Sequence, residues 1–584
     1  MYVNFTSSAA FLHFPWKQAV TFYQSFAWIW FRRRRAPATI ETSQDERTTG
    51  PRPAAYWVYA EERKEIDMKN FKLSRRSFLK AGAAASVASL VAANAAVANA
   101  AAPADSSAAE ENGLLDFLGK KPKYIFLFIG DGMGLPQIQS ASFYKGTVEN
   151  NGAVTGAELS FMQFPYTGSV TTYDSTSFCP DSASTATSIA TGNKTESGVI
   201  NMCPWTRDVP YETIAEKLHK QLGYKVGVIT TVNIDHATPA AFYAHQPSRS
   251  NYYDIGVELA NSGFEYFAGG DFEKPYNDGT KASNYDVAIA AGYNLVTTQA
   301  GAEALKAGAG KTLLIAEHRA DAAAMNYSID APAGEWQLSD YVRKGIELLD
   351  NDNGFFMMTE SGKIDWACHA NDAASSIHDV LEMSNAVQVA VDFYNQHPNE
   401  TLILVTADHE TGGMTIGYAT TNYDTFLTNL TKQTTSFVKF DSEHIDKLRA
   451  AGASFETAMA DVKNSFGLIT ASDPDASNPE YENLILTDYE LDQLRDAYER
   501  SMTVGASSQS KMSQKDYELY GTYQPFSAAI CHILNHKSGM SHTTWAHTGA
   551  PVNIYAQGVG SEKFTGAFDN TEIFHKLAEL TNVQ

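Results

Sequence analysis

The sequence predicts a three-layer α/β sandwich built on a mostly parallel central sheet. Short apolar runs, each bounded by Gly, Asp or Thr, recur along the chain, and such runs are typical of parallel strands covered on both faces. Amphipathic helices are predicted between them, for example at 211–222 and 377–393. The predicted strands are 124–129, 226–230, 313–316, 355–358, 402–405 and 552–555. Functional sites in such sheets lie beyond the carboxyl ends of the strands.

From about residue 417 to residue 522 the pattern changes to Tyr/Thr-rich segments and local helices. One helix is predicted to begin at a capping box formed by Thr487 and Glu490. The alternation of core strands is missing here, and strand-like sequence resumes at Val552. We therefore expect 417–522 to be a large insertion near the active-site side of the domain, rather than a separate module.

The charge of the chain is divided unevenly. Residues 1–100 hold 14 Lys/Arg against 7 Asp/Glu, which leaves 30 basic and 60 acidic residues in 101–584. The excess of acidic residues in 101–584 argues against nucleic acid as a partner, because a protein needs basic stripes to bind the phosphate backbone. Hydrophobic content of 44% and charged content of 19% are typical of a soluble globular protein.

The basic amino terminus resembles a twin-arginine export signal. The motif S-R-R-S-F-L-K at 74–80 precedes an Ala-rich apolar stretch at 81–97, and small residues at 98–100 offer a cleavage site. The alternative is an Ala-rich helix after a basic patch. We expect 68–100 to be a signal peptide and 101–584 to be a periplasmic or secreted domain with no stable membrane anchor.

About seventy residues precede this signal, although a signal normally starts close to the initiator. Met68 lies six residues before Ser74, and our hypothesis is that Met68 is the true start and that 1–67 come from an upstream start. The competing hypothesis is a membrane segment near 10–31. Polar or helix-breaking residues interrupt that segment, namely Pro15, Lys17 and Gln24.

The four cysteines, Cys179, Cys203, Cys368 and Cys531, are too few and too scattered for a disulfide framework. They leave room for one or two bridges after export. Cys368 lies beside a candidate metal ligand, but no C-x-x-C motif supplies a second thiolate. We therefore interpret Cys368 as a core residue.

Three candidate ligands, Glu360, Asp365 and His369, lie within ten residues directly after the apolar run 355–358. Asp365 and His369 stand four apart, so on a helix they share one face and can bind one borderline ion such as zinc. A carboxylate such as Glu360 suits a harder, oxygen-preferring ion. Taken alone, the segment is equally compatible with a helix amino terminus that has an acidic first turn and a surface histidine.

Polar residues follow the other predicted strands as well. Asp131 stands between glycines that permit a tight turn. Ser182 begins a run of small residues suited to a closely packed helix, whose positive end favours an alkoxide or a phosphate. Alone, each segment is compatible with an ordinary turn or cap. Together, hard or borderline ligands at six strand ends predict one composite site; the other segments are 235–239, Arg249, 406–413 and 547–550.

The ordered set from Asp131 to His547 resembles the alkaline phosphatase family, in its bacterial form with two zinc ions and one magnesium ion. The resemblance implies hydrolysis of phosphate monoesters by a homodimer. It also implies that Ser182 is the nucleophile that becomes a covalent phosphoserine, and that Arg249 holds the substrate phosphate. The implied ligands are Asp365, His369 and His547 for the first zinc, Asp408, His409 and Ser182 for the second, and Thr238 and Glu360 for magnesium, with Asp131 bridging the second zinc and magnesium.

Three further positions are predicted around these ligands. Asp181 is expected to orient Arg249. The resemblance implies that His236 contacts magnesium through water and that Trp366 neighbours the first zinc ligand, and this pair is similar to one bacterial variant of the family. Ser361 departs from the family, which commonly has Gly directly after the glutamate, so the local turn stays open.

The implied chemistry suits a phosphate monoester, whose negative charge repels nucleophiles. Two zinc ions about 4 Å apart can hold the attacking and the leaving oxygens. Arg249 offers two N–H groups to two nonbridging oxygens, a geometry that lysine cannot copy.

Competing functions are a sulfatase, a phosphodiesterase of the same superfamily and a non-catalytic metal-binding protein. Sulfatases use a Cys-x-Pro-x-Arg setting, whereas Cys179-Pro180-Asp181-Ser182-Ala183 has the proline misplaced and no following Arg. The phosphodiesterases typically use Thr and have no third metal site. A degenerate binding protein would be expected to have lost at least one of the implied residues, and none is missing.

Overall fold

The computed structural model describes residues 121–277 and 279–584. Within them the strands are β1 (Tyr124–Gly130), β2 (Tyr166–Thr171), β3 (Lys225–Thr230), β4 (Tyr266–Gly269), β5 (Asn294–Val296), β6 (Thr312–Ile315), β7 (Phe355–Ser361), β8 (Thr401–Thr406), β9 (Glu410–Thr411), β10 (Thr415–Ile416), β11 (Met540–Ser541), β12 (His547–Thr548), β13 (Val552–Gly558) and β14 (Gly566–Asp569). The α-helices are α1 (Leu135–Glu149), α2 (Ser182–Thr191), α3 (Ile214–Leu222), α4 (Ala237–Ala240), α5 (Tyr252–Asn261), α6 (Asn284–Ala290), α7 (Gln299–Ala304), α8 (Leu338–Leu349), α9 (Lys363–His369), α10 (Ala373–Gln396), α11 (Phe437–Phe440), α12 (Asp446–Ala451), α13 (Phe455–Phe466), α14 (Asp488–Thr503), α15 (Gln514–Tyr520), α16 (Pro525–Lys537) and α17 (Thr571–Thr581).

In the described part of the chain, one large sheet has ten strands in the order β14-β2-β13-β8-β1-β7-β3-β4-β6-β5. β1 is central and pairs in parallel with β7 and β8, so that Tyr124 lies opposite Phe355 on one side and Thr401 on the other. β13 runs antiparallel to its neighbours β8 and β2, and the other pairings of this sheet are parallel. The predicted mostly parallel sheet is confirmed.

Helices cover both faces of the sheet. Successive strand residues point to opposite faces, and on β7 the ring of Phe355 lies 5.7 Å from that of Phe393 on α10. The next ring, Phe356, is stacked 6.1 Å from Phe242, which follows α4. All seven residues of β1 are buried. A strand shielded on both sides needs apolar side chains throughout, which explains the continuous apolar runs.

The predicted strands and helices agree with the structure except at certain boundaries and in one direction. The helix predicted from residue 211 begins at Ile214, because Thr213 caps it and shares a capping box with Glu216. The strand at 552–555 is antiparallel to its neighbours, so the expectation that it is a parallel strand was wrong, and a further strand, β14, follows it. β2, β4, β5 and β14 were missed because they are short or lack a continuous apolar run.

The segment between β10 and β11 is built mainly from helices α11 to α16. The two strands pair antiparallel, with Ile416 opposite Met540, so the chain leaves and re-enters the domain at neighbouring points. The predicted capping box is confirmed: Thr487 accepts a hydrogen bond from the backbone of Glu490, whose side chain accepts one from Thr487. Whether 417–522 is best described as an insertion stays a prediction.

The predicted upstream segment, signal peptide and membrane alternative, which together cover residues 1–100, lie outside the described residues. Among the helices that are described, none is both long and apolar enough to cross a membrane. All four cysteines are free, and the interpretation of Cys368 as a core residue is confirmed because it is fully buried.

We expect Phe126→Ala to lower the free energy of unfolding by about 3–5 kcal/mol, because truncating a buried aromatic ring leaves a cavity. Phe126 is fully buried on β1 and contacts Phe355 edge-on. The matched control is Phe143→Ala on α1, since that ring is 39% exposed and its loss should cost less than about 1 kcal/mol. Urea unfolding of both variants would test this, and equal losses would contradict the assignment of the core.

Candidate active site

The candidate site lies at the edge of the sheet where the parallel strands end. Asp131 follows β1, Glu360 is the penultimate residue of β7, and Asp408 lies two residues after the end of β8. His547 belongs to β12, directly before β13. Because β13 is antiparallel, its beginning lies at the same edge as the carboxyl ends of the parallel strands. The reversal that the sequence did not predict therefore brings His547 to the site.

Asp365, His369 and His547 form one part of the site. Asp365 and His369 lie four apart on α9, as predicted, with His369 Nε2 3.4 Å from Asp365 Oδ2. His547 Nε2 lies 3.5 Å from Asp365 Oδ1 and 3.0 Å from His369 Nε2. Each ring donates its Nδ1–H to a backbone carbonyl, that of Trp545 for His369 at 2.7 Å and that of Pro180 for His547 at 2.5 Å. Both Nε2 lone pairs therefore face inward, a pattern typical of metal-binding histidines.

His409 has the same orientation in the second part of the site. Thr411 donates its hydroxyl hydrogen to Asp365 Oδ1 at 2.5 Å, so its oxygen accepts the Nδ1–H of His409 at 3.2 Å. This leaves His409 Nε2 as an inward-facing acceptor. Its neighbours are Ser182 Oγ at 3.1 Å, Asp131 Oδ1 at 3.2 Å and Asp408 Oδ2 at 3.3 Å.

The third part of the site contains buried polar atoms that have no hydrogen-bond partner among the described residues. These are Asp131 Oδ1, Glu360 Oε1 and His236 Nδ1. One polar side-chain atom from each of these residues lies within 4.8 Å of the others. Thr238 Oγ1 lies 3.4 Å from Asp131 Oδ2, and Thr230 donates a hydrogen bond to Glu360 Oε2. Unpaired buried oxygens are costly, so their convergence fits an oxygen-preferring cation.

Ser182 is the first residue of α2, all ten residues of which are buried. Asp181 caps the helix, because its Oδ1 accepts the backbone N–H of Ser184 at 3.1 Å. Its other oxygen, Oδ2, accepts a hydrogen bond from Arg249 NH1 at 2.9 Å. Although burial raises the pKa of Asp181, the guanidinium and backbone N–H groups hold that pKa below its ordinary value. Asp181 therefore links Arg249 to the helix that carries Ser182.

His236 is the second partner of the guanidinium. Arg249 has no acceptor atom, so its NH2 group donates to His236 Nε2, at 2.9 Å. The neutral ring therefore carries its proton on Nδ1. Trp366 contacts the same ring edge-on, at 5.9 Å between centroids and an angle of 76°. The two subtype positions identified in the sequence are thus in direct contact.

Burial shifts the pKa values of several groups in the site toward their uncharged forms. Burial raises the pKa of Asp131, Glu360 and Asp408, and neighbouring carboxylates raise these values further. Burial also lowers the pKa of His409 and His547, which keeps their Nε2 lone pairs available. A bound cation can replace the protons that these carboxyls would otherwise retain.

Sequence reasoning missed several residues that hold the ligands in place. Thr411 bridges Asp365 and His409, and Thr185 donates to Asp408 Oδ2 at 3.0 Å. Asp174 accepts the hydroxyl of Ser184 at 2.7 Å and so fixes the start of α2. Thr185 lies three residues after Ser182 and Thr411 two after His409, and this proximity in sequence was the available signal.

The alkaline phosphatase family model matches residues 122–266 and 288–583. The chain belongs to the alkaline phosphatase family. Alkaline phosphatase 4 of Bacillus subtilis (strain 168) is 29% identical over 462 residues, which cover 77% of this chain and 86% of that protein. The predicted enzyme class, a phosphoric monoester hydrolase, is confirmed at the level of the family.

Solved alkaline phosphatases share the fold. The cold-active enzyme of the psychrophile Shewanella sp. has 26% sequence identity and a TM-score of 0.63, and the likeness covers 78% of this chain and 99% of that one. A variant of the TAB5 alkaline phosphatase with Mg bound in the M3 site has 24% identity and a TM-score of 0.53, over 80% and 99% of the two chains. At that identity the second likeness shows the fold alone.

We expect Glu360→Gln to change how the stability of the cation-free alkaline phosphatase depends on pH. The folded-state pKa of Glu360 lies above its ordinary 4.5, so the wild type loses stability as the pH rises above 4.5, whereas glutamine does not titrate. In a chelator, the melting temperature of the variant minus that of the wild type should rise by about 2–4 °C between pH 5 and pH 9.

The matched control is Glu400→Gln, because Glu400 is exposed and precedes β8, at the opposite end of that strand from Asp408. That substitution removes an exposed carboxylate and should change the melting temperature by less than about 1 °C. Adding Mg²⁺ at pH 9 should reverse the order for Glu360→Gln, since glutamine weakens the cation site. If the melting temperature of Glu360→Gln minus that of the wild type did not change with pH in the chelator, the assignment of a buried, proton-retaining Glu360 would be contradicted.

Proposed function

We propose that this alkaline phosphatase hydrolyses phosphate monoesters through a covalent phosphoserine on Ser182, with two zinc ions and one magnesium ion as cofactors. The observation that carries the proposal is the position of Ser182 Oγ. It lies at the amino end of α2 and 3.1 Å from His409 Nε2, among inward-facing ligand atoms. A serine in such surroundings is suited to nucleophilic attack.

The donor atoms fit the proposed ions. Zinc binds imidazole nitrogen and carboxylate oxygen, whereas magnesium prefers oxygen. When bound, the zinc ions would supply positive charge at the attacking and leaving oxygens of the ester. The proposed ligands are Asp365, His369 and His547 for the first zinc, Asp408, His409, Ser182 and Asp131 for the second, and Asp131, Thr238 and Glu360 for magnesium.

Ser182 carries the phosphoryl group in the proposed reaction. Its Oγ forms a bond to phosphorus as the bond from phosphorus to the ester oxygen breaks and the alcohol leaves with a proton. The positive end of α2 favours the alkoxide form of Ser182. A water molecule then displaces Oγ from phosphorus, which releases inorganic phosphate and returns a proton to Ser182.

Arg249 binds the phosphate in this proposal. Each terminal nitrogen of its guanidinium already has one partner, Asp181 or His236, and keeps a second N–H. Those N–H groups can meet two nonbridging oxygens in a bidentate contact. Because the proton of His236 is on Nδ1, that atom can donate to a water molecule but cannot bind a metal directly. This supports the through-water contact with magnesium.

Export, dimerisation and substrate choice remain proposals. The twin-arginine motif supports export to the periplasm or beyond, and sequencing the mature amino terminus would test cleavage after residue 100. The family resemblance supports a homodimer, which light scattering would test. The acidic composition of 101–584 supports small phosphate monoesters rather than nucleic acid as partners.

Ser182→Ala should lower kcat for a monoester at least about 1,000-fold, because the nucleophile is removed. Rapid acid quenching with a labelled substrate should trap phosphate on the wild type and none on the variant, while the zinc content stays the same. Ser188→Ala is the matched control, since Ser188 is a buried serine of the same helix whose hydroxyl donates only to the backbone carbonyl of Ser184.

Covalent phosphate trapped on Ser182→Ala would show that the nucleophile is another residue. Assays of a monoester, a diester and a sulfate on the wild type separate the proposed activity from its superfamily rivals. Chelation should abolish the monoesterase activity, and zinc with magnesium should restore it. A diesterase or sulfatase activity higher than the activity on the monoester would contradict the proposed function.

Arg249→Lys should raise KM for a monoester by about tenfold or more and lower kcat less, because an ammonium cannot make the bidentate contact. Inhibition by inorganic phosphate should weaken in parallel. Arg207→Lys provides the control, since Arg207 is a largely exposed arginine paired with Glu196. An unchanged KM with a large loss of kcat would assign Arg249 to another role.

A further inference from the structure

One buried charge has no part in the proposed chemistry. Lys363 is the first residue of α9 and is completely buried. Its ammonium donates a hydrogen bond to Asp321 Oδ1 at 2.8 Å. It also lies over two aromatic rings, 3.8 Å from the centroid of Tyr327 and 4.7 Å from that of Trp366. A lysine is almost never fully buried unless it is paired, and here one carboxylate and two ring faces compensate the charge.

A chain of contacts links this ammonium to the phosphate-binding region. Trp366, under Lys363, meets His236 edge-on at 5.9 Å. His236 Nε2 accepts the hydrogen bond from Arg249 NH2 at 2.9 Å. His236 is buried, and its other ring nitrogen has no hydrogen-bond partner in the described part of the chain, so its hydrogen bond to Arg249 and its ring contact with Trp366 restrain its orientation.

The carboxylate partner is held by a tight turn. Ala322 and Ala323 follow Asp321 with φ values of 46° and 61°, a left-handed conformation that is unfavourable for alanine. The carbonyl of Ala323 accepts the backbone N–H of Asp271 at 2.8 Å, which ties the turn to the segment after β4. Asp321 is therefore fixed opposite Lys363, although its own side chain is 37% exposed.

We propose that Lys363 is a positioning residue for the guanidinium of Arg249. The ammonium, held by Asp321, fixes the plane of Trp366, and that ring holds His236 with Nε2 directed at Arg249. Asp181 fixes the other arm of the guanidinium, so both terminal nitrogens are oriented before phosphate arrives. Such preorganisation strengthens binding because less freedom is lost when the ligand is bound. The inference rests on the proposed function, since it takes Arg249 as the phosphate-binding group.

A merely structural role for Lys363 would have a different signature. α9 also carries Asp365 and His369. A variant that only disturbs the helix would displace these side chains, lower the cation content and reduce kcat. A variant that releases Arg249 would instead raise KM and weaken phosphate binding while the cations stay bound.

The test compares Lys363→Met, Lys363→Arg and Lys344→Met in the full-length protein loaded with zinc and magnesium. Lys344 is the matched control, because it is also buried and is paired with Glu347 at 2.6 Å, but on α8. Measurements are KM and kcat for a monoester, the Kd of inorganic phosphate by calorimetry, and the bound metal content.

We expect Lys363→Met to raise both KM and the phosphate Kd about tenfold, with kcat within about threefold of wild type and the metal content unchanged. Lys363→Arg should recover most of the loss, since a guanidinium keeps the charge and stacks on aromatic rings. Lys344→Met should change KM by less than about twofold. An unchanged KM in Lys363→Met, or a fall in kcat together with lost metal, would overturn the inference.

A double-mutant cycle separates the inference from the proposed function. If Lys363 acts through Arg249, Lys363→Met should add less than about twofold to the phosphate Kd in an Arg249→Ala background. Full additivity would overturn the inference alone. If Arg249→Ala by itself leaves phosphate binding unchanged, the proposed role of Arg249 fails instead. If Lys363→Met does not fold, Asp321→Asn replaces it in the same cycle. A smaller increase in KM is then expected.

Discussion

The rest of the structure depends on the repulsion among the carboxylates at the end of the sheet. Asp131, Glu360, Asp365 and Asp408 are all buried there, and the neighbouring imidazoles present lone pairs rather than protons. Two like charges 4 Å apart repel by about 4 kcal/mol at an effective dielectric constant of 20. Asp131, Glu360 and Asp408, whose pKa values are raised by burial and by neighbouring carboxylates, must therefore retain protons or bind cations, and either way the surrounding protein must hold them together.

The hydrogen bonds that hold the candidate ligands in place come from many elements of the fold rather than from one motif. Thr185 of α2 holds Asp408, and Thr411 of β9 holds both Asp365 and His409. Backbone carbonyls on either side fix the remaining imidazole rings through their Nδ1–H groups. A hydrogen bond from the ring opposite the ligand atom sets the tautomer and the direction of a histidine. The sheet thus brings the ligands to one edge, and these hydrogen bonds decide which atom of each ligand faces inward.

The cationic side chains near this acidic centre are paired with carboxylates that are not proposed ligands. Arg249 is paired with Asp181, and Lys363 with Asp321, so neither basic group neutralises a ligand carboxylate. This separation leaves the ligand oxygens free for cations while the guanidinium remains available for an anionic substrate. It also explains why a fully buried lysine is tolerated within two residues of Asp365, because its charge is compensated within its own pocket.

The sequence by itself determined the buried parallel strands and the shared helix face of Asp365 and His369, whereas the full ligand set was implied by the family resemblance. Both are local properties: a strand covered on two faces must be continuously apolar, and Asp365 and His369 share a helix face because they stand four apart. Tertiary structure alone decided the antiparallel direction of β13, the roles of Thr185 and Thr411, and the pocket around Lys363. These depend on contacts between residues far apart in the chain, such as the 223 positions that separate Thr185 from Asp408. The local spacing of residues does not predict such pairings, because they arise only when the sheet brings distant strand ends together.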